Sequence, residues 1–207
     1  MRRLLLASHG IGALPALVDE ATSGLPLAFV PTAAGSDPES KPWVQADRRQ
    51  AELLGFEVAT LELASASVRE VETVLHDAFA VFATGGNSFL LLWHARRTGF
   101  VDLVPSLVDS GSLVYVGTSA GALLAGPDLA PAASLDNWRD VPDLESSVAM
   151  GMVPFTVLPH DQESEFRARH DETVAAHPDG QYIRLTDDRA VAVCGDDVEV
   201  VESPMVA

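Results

Sequence analysis

Short apolar runs of strand length alternate with stretches of helical period from the N-terminus to about residue 125, and that alternation leaves few folds open to the chain. The runs at 4–7, 27–30, 56–61, 78–83 and 113–116 are each too short for a helix and are bounded by turn-forming residues, so they read as buried strands. Between them, residues 43–54, 68–75, 89–97 and 101–108 repeat their apolar side chains at helical spacing. Strand followed by helix predicts a mostly parallel sheet with helices on both faces, in which ligands bind at the carboxyl ends of the strands.

The pattern fails from 126 to 152, where Pro127, Pro131, Asp136, Asn137, Pro142 and Asp143 make a long irregular connection. It resumes with a strand at 155–158, a helix at about 163–176 and short strands at 182–185, 190–194 and 198–201. The turn Gly195-Asp196-Asp197 between the last two predicts a C-terminal β-hairpin. With 207 residues, 47% hydrophobic and 21% charged, the chain can bury a substantial core and is expected to form one α/β domain over 1–207.

Thirteen Lys and Arg face 30 Asp and Glu, a formal net charge of -17. Such a surface repels phosphate at long range, which argues against nucleic acid and anionic membrane as partners and says little about the substrate. Cys194 is the sole cysteine, so no intramolecular disulfide can form; in an apolar strand it reads as a small hydrophobe. The apolar run after Arg2-Arg3 stops after about five residues, short of a signal-peptide core, and no stretch approaches the roughly 20 apolar residues of a membrane span. A soluble, cytoplasmic monomer or homodimer is the expectation.

The run Gly117-Thr118-Ser119-Ala120-Gly121 follows an apolar strand and precedes the helix-forming Ala122-Leu123-Leu124-Ala125. Small residues there permit the sharp strand-to-helix turn of a nucleophile elbow, and the helix start offers free N–H groups to a developing oxyanion. The N–H of Ala120 is the natural first donor. A second strand-to-helix turn, Thr84-Gly85-Gly86-Asn87, opens on the same sheet edge and makes Gly85 and Gly86 candidates for the second donor. Asn87 either caps the next helix or touches substrate.

A serine nucleophile needs a base. Of six histidines, His160 is the best placed, closing Phe155-Thr156-Val157-Leu158-Pro159-His160 at a strand's carboxyl end. His9 also follows a strand and is the competitor, as base or as pocket lining. His76, His94, His170 and His177 fall on or beside helices and read as surface residues. The carboxylate that would orient the imidazole is left open by spacing among Asp128, Asp136, Asp140 and Asp143. No His-x-x-x-His pair or cysteine cluster predicts a metal, and no G-x-G-x-x-G run or P-loop predicts a nucleotide cofactor.

With these residues assembled, the chain resembles the peptidase E (aspartyl dipeptidase) family of serine peptidases, of class I glutamine amidotransferase-like fold, whose relatives include cyanophycinase. The carriers are Gly85-Gly86-Asn87, the Gly117 to Gly121 elbow, Asp136, Leu158-Pro159-His160 and Leu185-Thr186-Asp187-Asp188 before a strand. The resemblance implies a catalytic set of Ser119, His160 and Asp136, with Gly86 and Ala120 as the oxyanion donors. It implies hydrolysis of short peptides, Asp-Xaa dipeptides among them. Recognition of an N-terminal aspartate needs a cation for its carboxylate, and Arg167 or Arg169, just after His160, are the candidates, the alternative being solvated helix arginines. Rival expectations on the same scaffold are a cyanophycin-type, ester or amide hydrolase, and a binding protein with an unreactive serine.

Overall fold

The computed structural model describes residues 1–18, 21–141 and 143–207; Pro142 of the irregular connection lies outside them. In chain order the elements are β1 (Arg3–Ala7), α1 (Leu14–Val18), β2 (Pro26–Val30), α2 (Pro42–Leu53), β3 (Glu57–Thr60), α3 (Val68–Asp77), β4 (Ala80–Ala83), α4 (Ser88–Arg97), α5 (Phe100–Ser110), β5 (Val114–Thr118), α6 (Ala120–Leu124), β6 (Thr156–Leu158), α7 (Ser164–Ala176), β7 (Tyr182–Arg184), β8 (Arg189–Cys194) and β9 (Asp197–Glu202). Seven strands form one sheet in the order β3-β2-β4-β5-β1-β8-β9. The first five are parallel, as the alternation predicts; β8 runs antiparallel to β1, and β9 closes the hairpin against β8.

Successive strand side chains point to opposite faces, which is why near-continuous apolar runs suit a sheet covered on both sides. In β1, Leu4 and Leu6 join a core with Val81, Ala83 and Tyr115 beneath helices α3 to α6, while Leu5 and Ala7 join the opposite core with Phe29, Phe82 and Val116 beneath α1 and α2. Phe29 and Phe82 are fully buried and meet edge to face at 5.6 Å. Each such side chain contributes about 1.5–3 kcal/mol of burial, so both faces of the sheet anchor the strands whose carboxyl ends carry the site.

Two of the expected strands do not join this sheet. β6 pairs in parallel with β7 as a separate two-stranded sheet, with α7 as the crossover between them. Both edges of β1 are already taken, by β5 and β8, and β6 packs instead against α6. Among its described residues the irregular connection contains two 3-10 turns, Ala130–Ser134 and Trp138–Asp140, and prolines and short polar residues account for the absence of anything longer there. Among the described residues no helix is long and apolar enough to cross a membrane.

Candidate active site

At the carboxyl end of β5 the chain turns within one residue into α6, and that residue is Ser119, with φ 49° and ψ -107°. Ser119 and His160 (φ 62°) are the only non-glycine residues with positive φ among the described residues, a conformation that costs about 1–3 kcal/mol and is retained where the surroundings impose it. The surroundings do impose it. A Cβ on Gly121 would sit 2.1 Å from the Ala83 carbonyl oxygen, and Tyr115 donates from its buried hydroxyl to the Gly121 carbonyl at 2.7 Å. The elbow is thereby pressed onto β4, and its backbone N–H donates to Ala7 of β1 at 3.0 Å. Ser119 occupies the N-cap position of α6 without any side-chain cap bond, so a capping role does not explain it. Its Oγ lies 3.1 Å from His160 Nε2.

His160 follows β6, as expected, but the acid that meets it is Asp187 and not Asp136. His160 Nδ1 lies 2.7 Å from Asp187 Oδ1. Asp187 precedes β8, and because β8 is antiparallel its beginning lies at the carboxyl edge of β1, beside Ser8. The Ser8 hydroxyl donates to Asp187 Oδ1 at 2.7 Å and accepts the His160 backbone N–H at 2.8 Å, while Gln162 donates to Asp187 Oδ2 at 2.5 Å. Burial pushes the Asp187 carboxyl up, but hydrogen bonds from His160, Ser8 and Gln162 and the attraction of the imidazole outweigh it and hold the group down at about 2. An ionised Asp187 can only accept, which puts the ring proton on Nδ1 and leaves Nε2 free to accept from Ser119.

Asp136 serves another end of the fold. Its Oδ2 accepts from the Ser88 backbone N–H at 2.9 Å and from the Ser88 hydroxyl at 2.5 Å, at the first residue of α4. Free N–H groups at a helix start draw a carboxylate, and this one is satisfied there. Asn87 is the N-cap of the same helix, accepting from Phe89 and Leu90, and its amide donates to Asn137 and Asp140. Of the two roles expected of Asn87 the helix cap is the one seen, and its amide pins the irregular connection across the start of α4.

Ser8, His9, Trp43, Asp47, Gly85, Gly86, Thr118, Ser119 and His160 line a cleft of about 170 Å³. Gly85 approaches the nucleophile closely, since a Cβ there would lie 3.3 Å from Ser119 Cβ; one on Gly86 (φ 141°) would meet the Ala33 carbonyl oxygen at 2.2 Å. His9 is in the lining, as expected of the competitor, and is not bonded to Ser119 among the described hydrogen bonds. Arg167 and Arg169 are not. Arg167 donates to the Asp161 carbonyl at 3.0 and 2.7 Å, and Arg169 pairs with Glu165 at 2.5 Å one helical turn away. His170, expected at the surface, is fully buried with Nδ1 2.9 Å from Asp161 Oδ1, and that burial pushes its pKa down. Ligand atoms of His160, Glu163 and Asp187 lie within 4.8 Å of one another, but a cation there would compete with the His160–Asp187 bond.

A strained serine, a histidine and a carboxylate in hydrogen-bonded series at the carboxyl edge of an α/β sheet define a hydrolase-type site. The chain belongs to peptidase family S51, whose sequence model matches residues 8–201, and is a peptidase. It is 33% identical over 222 aligned positions to peptidase E of Streptomyces coelicolor, covering 92% of this chain and 83% of that one. An uncharacterized peptidase of Listeria monocytogenes is 29% identical over 201 positions, covering 96% and 97% of the two chains. The crystal structure of a peptidase E protein from Listeria monocytogenes EGD-e superposes with a TM-score of 0.88 at 28% identity, over 99% of this chain and 100% of that one.

Proposed function

We propose that this peptidase cleaves short peptides by a serine mechanism, with an acyl-enzyme on Ser119. The observation that carries the reading is the unbroken series Ser119 Oγ to His160 Nε2 at 3.1 Å and His160 Nδ1 to Asp187 Oδ1 at 2.7 Å, opening on a cleft. His160 takes the serine proton as Oγ attacks the scissile carbonyl, then gives it to the departing amine. Asp187, held ionised, keeps the imidazole in the tautomer that can accept and stabilises the imidazolium that forms. Ala120 opens α6, so its N–H has no intrahelical acceptor, and with Gly86 it is assigned to the oxyanion.

The size of the cleft supports a short substrate, being smaller than the roughly 300–1,000 Å³ of drug-sized ligand sites. A fixed preference for N-terminal aspartate has less behind it, because neither Arg167 nor Arg169 lines the cleft. Replacement of Ser119 by Ala is expected to lower kcat/KM on a dipeptide panel by ~10^4-fold or more, judged by amine release. A Ser119→Ala protein as active as the parent would sink the assignment.

A further inference from the structure

Asp47 is a cleft residue that the Ser119–His160–Asp187 series does not use. It projects from α2 with only 2% exposure, and its Oδ2 accepts from the hydroxyl of Thr118, the residue before the nucleophile, at 2.8 Å. The rest of its shell is fixed by Gln50. Gln50 Oε1 accepts the backbone N–H groups of Ile11 and Val206, at 3.1 and 3.2 Å, which leaves Nε2 to face Asp47 Oδ1 at 3.4 Å. Asp47 therefore has two neutral donors, and none of the ion pairs found among the described residues includes it. A buried carboxylate without a cation is costly, and proteins keep one where a proton or a cationic ligand completes it.

Two further features of the cleft bear on what that ligand is. Among the described residues no Lys or Arg lines it, and the lining ring of His9 has a buried Nε2 without a hydrogen-bond partner. An acidic side chain entering here would meet the Asp47 carboxyl and, among the described lining residues, no Lys or Arg to offset it. A free amine would meet an acceptor, and in an N-terminal residue the amine is separated from the scissile carbonyl carbon only by Cα, which suits an anchor next to Thr118 and Ser119.

We propose that Asp47 anchors the free α-ammonium group of the substrate, and that the cleft favours short peptides with an uncharged N-terminal residue over those beginning with aspartate. The inference rests on the serine-peptidase reading and names the substrate class of that same site. Burial holds the Asp47 carboxyl at about 7 against the opposing pull of the Thr118 and Gln50 hydrogen bonds, so an arriving ammonium meets a group already poised to ionise.

Three p-nitroanilides test it on the native chain at pH 7.5: alanine, aspartate and N-acetylalanine. Alanine p-nitroanilide is expected to exceed each of the others in kcat/KM by about 30-fold or more, the scale for losing one partner of a buried charge pair. Asp47→Asn is expected to bring alanine p-nitroanilide down to the N-acetyl level, chiefly through KM. The same preference is read without turnover by protection: L-alaninamide should slow fluorophosphonate labelling of Ser119 at concentrations where N-acetyl-L-alaninamide does not. Equal handling of free and acetylated compounds in both assays, an aspartate preference, or an Asp47→Asn protein that keeps the free-amine preference would overturn the assignment. Failure of Ser119 to label at all would instead remove the serine-peptidase reading and this inference with it.

Discussion

At the scale of single residues, two carboxylates that lie on loops are separated by what surrounds them. Asp187 has three donors, the imidazole among them, to hold it ionised, whereas Asp136 is raised by burial and its Ser88 hydrogen bonds only temper that. Asp187→Asn is therefore expected to lower kcat/KM by about 10^3–10^4-fold, because an amide in its place no longer fixes the Nδ1 tautomer. Asp136→Asn should leave the rate within a few-fold of the parent and cost only helix-capping stability, about 1 kcal/mol. Steady-state kinetics and thermal melts on the pair decide the matter, and the reverse ranking would restore Asp136 to the acid's position. Ser119 and His160 were legible in the sequence because each closes a strand at the carboxyl edge of a parallel sheet. The role of Asp187 in Leu185-Thr186-Asp187-Asp188 is not legible there, because its place depends on β8 running antiparallel beside β1, a pairing that local pattern does not encode.

At the scale of elements, the site is assembled from segments distant in sequence by four strands of the main sheet and one outlying pair. β1 supplies Ser8, β4 the Gly85-Gly86 turn, β5 the elbow, β6 the histidine and the entry to β8 the acid. The five parallel strands and their helices follow the apolar periodicities closely. What periodicity did not show is that β6 leaves the main sheet, since a three-residue strand carries no mark of its partner. Asn87 illustrates how an element end can mimic a site: it follows two glycines at the right edge, yet it is spent on Phe89, Leu90 and the irregular connection. Asn87→Ala is expected to lower stability by about 1 kcal/mol or somewhat more, a fall in Tm of roughly 2–4 °C for a chain of this size, with kcat/KM changed far less than by Asp187→Asn. A loss of activity at full stability would place Asn87 against the substrate after all.

At the scale of the whole molecule, the carboxyl edge of the sheet is where conformational strain, a hydrogen-bonded Ser–His–Asp series and a desolvated carboxyl converge, and the last of these has a cost for stability. Below the ordinary carboxylate value of 3.8, Asp47 is protonated in folded and unfolded chains alike. Between that value and about 7 the unfolded chain ionises while the folded one does not, so stability falls as pH rises, and above about 7 the full cost, on the order of 4 kcal/mol, is in place. Asn at this position keeps an acceptor for Gln50 and a donor for Thr118, so Asp47→Asn should melt higher than the parent, by a wider margin at pH 8 than at pH 5. An equal margin at both would mean that Asp47 does not take up a proton on folding. The proposed serine mechanism depends on Ser119 being a nucleophile activated by His160 and Asp187. Its most direct test is fluorophosphonate labelling followed by peptide mass mapping: one adduct is expected, on the peptide bearing Ser119, forming ~10^3-fold more slowly in His160→Ala, and an adduct elsewhere, or a rate indifferent to His160, would refute the mechanism.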